Sequence, residues 1–318
     1  MEHAIKIRGL TKTYKGGVQA LKGVDLEVPK GSVFGLLGPN GAGKSTLIKC
    51  LLSIVRPTSG TATLLGHPIN SPYARAKVGY LPEGHRFPQY LTAAGVCRYF
   101  GGLSGLHGEE LEKEVHAKLD LVGLSEWADK RVNKFSKGMA QRVGVAQAFL
   151  GDPDVVFLDE PTDGVDPVNR QGLHFVIRNA VEKGATVFIN SHLLPELEVL
   201  CDEVGILNQG EILRKGTVSD ITSAVQQGQG LRVRVRTGPI PDELWAKLAE
   251  RGASREPDDY FVIGLDEEAG ITPLIDELRA ANVDLFAVTP VKVRLEQAFV
   301  ELIGGNAAPP SPDEKGAA

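Results

Sequence analysis

The sequence predicts an α/β fold: a buried sheet built from alternating strands and helices, followed along the chain by a small α+β domain. Three observations predict this. The apolar run Val33–Leu37 ends at a glycine-rich stretch, Gly38 to Gly43, which opens a helical run. Three further apolar strands, 155–160, 186–190 and 204–207, are separated by longer amphipathic stretches. Beyond about Gln226 the texture changes, beginning with LRVRVRT at 231–237, where apolar and basic residues alternate.

Taken in order, residues 4–37 hold the β-like runs AIKIR, LKGVDLEV and VFGLL, broken by Gly and Pro. An antiparallel N-terminal layer feeding one buried strand follows from that pattern. Between about Thr92 and Leu150 apolar residues recur at helical spacing without strand runs, so an inserted helical subdomain is expected over 92–150. VVFLDE, TVFIN and VGIL then complete the core of a first domain spanning 1–225. In the second domain, 226–303, a helical stretch precedes the strand YFVIG (260–264), another helix, the strand VDLFAV (283–288) and a last helix near Leu295–Leu302. The end, 304–318, combines Gly, Pro, Ala and charge with little to bury, so it is expected to be disordered.

Composition narrows the function classes. A formal net charge of -5 lacks the basic excess of a general nucleic-acid binder, and no nucleic-acid partner is expected. Cys50, Cys97 and Cys201 have no metal-ligand spacing and read as buried, reduced thiols. The opening residues carry charges where a signal peptide needs an apolar core, and no run approaches the roughly 18 apolar residues of a membrane helix. A chain that does not itself cross a membrane is expected.

Gly38-Pro39-Asn40-Gly41-Ala42-Gly43-Lys44-Ser45-Thr46 matches the P-loop pattern in its proper setting, after an apolar strand and before the helical run LIKCLL. Glycines let the backbone curl so that successive N–H groups point at phosphate oxygens, and the following helix presents its positive end. Lys44 adds a mobile charge near the terminal phosphates, and Ser45 would place its hydroxyl on Mg²⁺. The acidic pair closing VVFLDE supplies the other half of a phosphoryl-transfer site. Asp159 would hold Mg²⁺, usually through water, while Glu160 could accept a proton from the attacking water.

With these residues in place, Phe135-Ser136-Lys137-Gly138-Met139-Ala140-Gln141-Arg142 resembles the signature motif of ATP-binding-cassette (ABC) proteins, with Phe-Ser-Lys-Gly-Met where Leu-Ser-Gly-Gly-Gln is usual. Tyr14 matches the aromatic position that stacks on adenine, and Tyr80-Leu81-Pro82-Glu83 the loop that senses the γ-phosphate and the membrane partner. Asp163-Gly164-Val165-Asp166-Pro167 resembles the D-loop that crosses the dimer interface, and Asn190-Ser191-His192 the switch histidine. The resemblance covers roughly residues 4–222 and rests on the whole ordered set. It implies a P-loop NTPase cassette: a RecA-like core, an antiparallel β-subdomain and a helical subdomain. It also implies an ATPase using ATP and Mg²⁺, paired head to tail with a second ATPase subunit. Independently of the name, Ser136 and the N–H groups around Gly138 open a helical run, Met139 to Leu150, and so make an anion site at a helix N-terminus. In the family that anion is the γ-phosphate held by the partner subunit's P-loop, and complete motifs make a homodimer the simpler expectation.

Further implications follow from the family. A separate transmembrane permease subunit is the expected partner, which places the chain in the cytoplasm, on the inner face of the cell membrane. Lys137 either adds charge near the nucleotide or is solvated. Glu83 stands where many members carry glutamine, adding charge that binds a metal more strongly and disfavours the γ-phosphate. Some exporter-type members with the Ser-Lys-Gly-Met variant also carry Pro-Glu there. The second domain, ending Leu295-Glu296-Gln297-Ala298-Phe299-Val300-Glu301-Leu302, resembles the appendage of ABC-2 type exporter ATPases. Arg232, Arg234 and Arg236 share one strand face and read as a solvated face ahead of a dimer or lipid contact. His3, His67, His85, His107, His116 and His174 receive no function. The alternatives are a soluble ABC ATPase of translation or chromosome maintenance, and a regulator that binds nucleotide without hydrolysing it.

Overall fold

The computed structural model describes residues 2–265, 268–291 and 293–304; the expected disordered tail lies, beyond Gly304, outside the described residues. The chain divides into two compact units between Val218 and Ser219. This is earlier than the expected 225, because a helix opening at Val218 runs through the point where the sequence texture changes.

The first unit runs β1 (His3–Thr13), β2 (Gln19–Pro29), β3 (Val33–Leu37), α1 (Lys44–Leu51), β4 (Ser59–Leu64), β5 (His67–Pro68), β6 (Val78–Leu81), α2 (Ala93–Leu103), α3 (Gly108–Leu121), α4 (Lys137–Ala148), β7 (Val155–Asp159), α5 (Pro167–Glu182), β8 (Thr186–Asn190), α6 (Leu194–Leu200), β9 (Glu203–Asn208) and β10 (Glu211–Gly216). The second contains α7 (Val218–Gln229) from Ser219 on, β11 (Leu231–Thr237), α8 (Asp242–Glu250), β12 (Ser254–Glu256), β13 (Tyr260–Leu265), α9 (Ile271–Ala280), β14 (Leu285–Pro290) and α10 (Leu295–Gly304).

Two sheets build the first unit. The antiparallel layer has the order β2-β1-β4-β5, and β1 pairs with β2 so that Ile5 faces Val28 and Ile7 faces Leu26. The second sheet has the order β10-β9-β3-β8-β7-β6 and is parallel except for the edge strand β10. Every residue of β3, β7 and β8 is buried, as expected of strands covered on both faces. Phe34, Phe157 and Phe188 clasp these neighbours together, with ring centroids 5.3 and 5.4 Å apart. Truncating one such ring to alanine typically costs about 3–5 kcal/mol.

This topology places the site. β3, β8 and β7 are adjacent and parallel, so the segments leaving Leu37, Asn190 and Asp159 emerge at one end of the sheet. Register sharpens this, since Asn190 pairs with both Leu36 and Asp159. Ligands of open α/β sheets bind at this end of the strands.

Between β6 and β7 the described residues form helices and short 3₁₀ turns, with Thr92 capping α2 through a 3.0 Å bond from the Gly95 N–H. α4 starts at Lys137, earlier than the expected Met139, because Ser136 accepts the Met139 N–H and so becomes the N-cap. Strands β4, β6 and β10 are absent from the sequence reading for a physical reason. β4 opens Ser-Gly-Thr, β6 has four residues and only one of them buried, and β10 is a charged edge.

In the second unit the antiparallel sheet has the order β12-β13-β11-β14. Leu244, Leu248, Leu274 and Leu278 of α8 and α9 share its core with Val233, Val235, Phe261 and Ile263. Arg232, Arg234 and Arg236 alternate with those valines on the other face. Arg234 is not simply solvated: its Nε donates to Glu256 at 2.7 Å and its guanidinium lies 3.9 Å over Tyr260.

Candidate active site

The loop after β3 curls because glycine lets it. Gly43 has φ +108°, and a Cβ there would meet the Ala20 carbonyl oxygen at 2.4 Å. α1 then opens at Lys44, and the residues from Asn40 to Thr46 line an open cavity of about 250 Å³ with Ala20, Glu83, Glu160 and Asn190. Lys44 folds back over its own loop, donating to the carbonyls of Gly38 at 2.7 Å and Pro39 at 3.1 Å. Burial holds its ammonium below the usual lysine range against the opposing pull of Glu160, Asp159 and Glu83.

At the end of β7, Asp159 is only 2 % exposed and accepts a hydrogen bond from Asn190 Nδ2. Burial raises its carboxyl above the usual aspartate range, offset in part by Asn190 and then by Ser45. Glu160 adopts φ +53°, a left-handed conformation uncommon for a residue with a side chain. Its backbone is held from both sides: its N–H donates to Asn190 O at 2.8 Å, and its carbonyl accepts from Gln141 Nε2 at 2.8 Å. The turn aims the carboxylate at His192, whose Nδ1 lies 2.8 Å from Oε2 and whose ring is largely exposed.

Tyr14 is 38 % exposed with its hydroxyl 3.4 Å from Thr46 Oγ1, so an accessible ring stands beside the loop. Glu83 follows β6 and lines the cavity with the P-loop. Ser136, Lys137, Gly138 and Asp166 are not among the residues lining that cavity. They form a second group. Lys137 Nζ pairs with Asp163 at 2.7 Å, and a Cβ at Gly138 would meet Gly164 O at 2.7 Å, so signature and D-loop touch within one chain. Neither expectation for Lys137 anticipated that partner. Asp166 caps α5, accepting the Asn169 N–H at 3.1 Å, and the Asn169 bonds hold its carboxyl below the usual range.

Several supporting residues escape a reading of the sequence. Asn190 can be signalled by its type, an amide closing an otherwise apolar strand, where a buried polar group needs a partner. Gln147 of α4 donates to Tyr80 O at 2.8 Å, and His85 Nε2 donates to Ala140 O at 3.2 Å. Gly144 makes room for His85, since a Cβ there would lie 2.7 Å from Nε2. None of these contacts is local in sequence.

The donor set fits Mg²⁺. Ser45 and Glu83 line the cavity, Ser45 offsets part of the rise in the Asp159 carboxyl, and Asn190, which lines the same cavity, has its Oδ1 buried without a partner. Among the described residues no group of three or more His, Cys, Asp or Glu could hold a metal ion, so nucleotide phosphates and water would complete the shell. The free cysteines are all buried, and burial pushes the Cys97 thiol up to about 12. Among the described residues no helix is long and apolar enough to cross a membrane.

The ABC transporter family matches residues 21–163. An uncharacterised ABC transporter ATP-binding protein of Synechocystis is 38 % identical over 299 residues, covering 92 % of this chain and 82 % of that one. The linearmycin resistance ATP-binding protein LnrL of Bacillus subtilis is 32 % identical over 311 residues, covering 94 % of this chain and 98 % of that one. A solved dimeric, post-hydrolysis ATP-binding cassette with bound ADP and phosphate superposes with a TM-score of 0.62 at 25 % identity, covering 67 % of this chain and 98 % of that one. With the P-loop, Asp159 and Glu160 gathered at one sheet end and relatives of 38 % and 32 % identity aligned along 82 % and 98 % of their own length, the chain belongs to the ABC transporter ATP-binding proteins, whose cassette is an ATPase.

Proposed function

We propose that the chain is the ATP-hydrolysing subunit of an ABC-2 type exporter and drives a separate transmembrane permease from the cytoplasmic face of the membrane. The observation that carries the reading is the split between two groups. The P-loop and Glu160 line one cavity with His192 bonded to Glu160, whereas Ser136, Lys137 and Gly138 lie elsewhere on the same chain. A second copy placed head to tail would bring its Ser136 and Gly138 N-terminus to the phosphates held by the first copy's P-loop. LnrL is named for resistance to linearmycin, which favours export by this chain's own complex. Glu83, the Ser-Lys-Gly-Met signature and the appended second unit point the same way.

In this reading Tyr14 stacks on adenine, and Gly38, Pro39, Asn40, Gly41, Ala42, Gly43, Lys44, Ser45 and Thr46 hold the phosphates. Ser45, Asp159 and Glu83 would hold Mg²⁺, which supplies charge neutralisation at the phosphate oxygens. Glu160 takes a proton from the water that attacks the γ-phosphorus, and the bond to ADP breaks. His192 donates from Nδ1 to Glu160, so in the neutral ring Nε2 can only accept. To donate to a phosphate oxygen it must carry both protons or release Glu160.

Co-expression with a helical membrane subunit tests the reading. The chain is expected to purify with that subunit and to hydrolyse ATP faster in the complex than alone. Full activity alone, with no retention on any membrane subunit, would favour the soluble cassette instead. A narrower test concerns Glu83, whose carboxylate lines the cavity beside Ser45 and Glu160. Glu83→Gln keeps a ligand oxygen and removes one repelling charge, so ATPase activity should stay within about tenfold of the wild type. Complete loss of steady-state phosphate release would overturn that role.

A further inference from the structure

We infer that Glu196 is a positioning residue that ties the start of α6, next to His192, to the Asp163–Asp166 turn, so that the two segments move as one. Its side chain is only 14 % exposed; Oε2 is hydrogen-bonded, while Oε1 is buried without a hydrogen-bond partner and is met only by the charge of Arg170. Oε2 accepts from the Thr162 hydroxyl at 2.6 Å, and Oε1 pairs with Arg170 Nη1 at 3.0 Å. Arg170 in turn donates from Nε to the Val165 carbonyl at 2.8 Å, so one guanidinium grips the carboxylate and the turn together. Thr162 is buried, and its own carbonyl accepts the Val165 N–H at 3.0 Å.

The consequence lies in the pairing of contacts. Glu160 meets His192 at 2.8 Å, and two residues on, Thr162 meets Glu196 at 2.6 Å. On one side the rungs are separated by a short stretch after β7, on the other by the bend at His192 and the first residues of α6. The segment 160–162 and the segment 192–196 are therefore clamped at two points, and Arg170 extends the clamp to the turn. A displacement of that turn cannot leave Glu196 in place without breaking its partly buried hydrogen bond to Thr162 or its ion pair with Arg170. Glu196 is not among the residues that line the cavity, and its side-chain contacts reach Thr162 and Arg170, so its effect on the site passes through those two segments.

The inference rests on the proposed ATPase role only for its effect on turnover, so the test has two arms. Amide hydrogen exchange is measured on the full chain without nucleotide, comparing the wild type with Arg170→Ala, Glu196→Gln and Thr162→Val. Thr162→Val removes a single hydroxyl and guards against a variant that fails to fold. Arg170→Ala, made in α5, should speed exchange across residues 192–200 by about fivefold or more, and Glu196→Gln should do the same across 163–166. Thr162→Val should act in the same direction more weakly. Exchange confined to the substituted segment would overturn the coupling. In the second arm, Glu196→Gln should lower kcat by about tenfold with KM for ATP within about twofold, and Glu196→Asp should recover part of that loss. Equal loss in both parameters, or unchanged kcat, would overturn the positioning role. Absence of turnover in the wild type would count against the ATPase reading, and the exchange arm would still decide the coupling.

Discussion

Glu160→Gln is expected to bind ATP, to lose turnover by about a hundredfold to ten-thousandfold, and to accumulate as an ATP-held dimer. The size follows from removing a general base while keeping its shape. An amide has no lone pair basic enough to take a proton from water, but it fills the same volume and still accepts a hydrogen bond from His192. The unusual backbone at φ +53° should survive, because it is held through main-chain atoms: the N–H on Asn190 O and the carbonyl under Gln141 Nε2. Nucleotide affinity should therefore persist while the chemical step stops. Two copies that close on ATP and cannot hydrolyse it have no route to reopen, so the closed state gains population. Phosphate release and size-exclusion chromatography with ATP, run side by side with the wild type, read both effects. Hydrolysis within tenfold of the wild type would remove Glu160 from the role of base.

Much of the fold is legible because the parallel strands are buried on both faces. VFGLL, VVFLD and TVFIN read as apolar runs with no alternation, which marks a covered sheet. Strands that escape, β4, β6 and β10 among them, owe their place to neighbours more than to composition. β6 is recruited by pairing with β7, Val78 against Val155 through Leu81 against Leu158. The loop Gly38 to Thr46 is equally legible, since its residues are contiguous and its chemistry is written in one stretch. Contacts across register are not. That Asn190 faces Asp159, that Gln141 braces Glu160 and that Lys137 pairs with Asp163 depend on which strands and turns become neighbours. For Lys137 a reading limited to its own motif offers nucleotide or solvent, and the carboxylate that holds it comes from a distant turn.

Asp159→Asn should act in opposite directions on activity and on stability. Turnover is expected to fall by about a hundredfold, because the carboxylate proposed to help hold Mg²⁺ is lost. Stability without nucleotide should rise at neutral pH. Burial raises the Asp159 carboxyl above its ordinary value, so the folded state disfavours the ionised form that neutral pH imposes. The sign follows from linkage. A carboxyl whose folded pKa exceeds its unfolded one binds more protons when folded, so its contribution to stability is fully present below the unfolded value and is lost as pH rises through the folded value. Asparagine does not titrate, and its Oδ1 still accepts from Asn190 Nδ2, the bond that Asp159 accepts now. The melting temperature of the variant should thus exceed that of the wild type at neutral pH, and the gap should close on acidification below the ordinary aspartate range. A variant that is less stable at neutral pH would mean that Ser45, Asn190 and Lys44 together outweigh burial. Asp159 would then be a structural anchor of the sheet end and no longer a charge held there, at a cost, for the nucleotide.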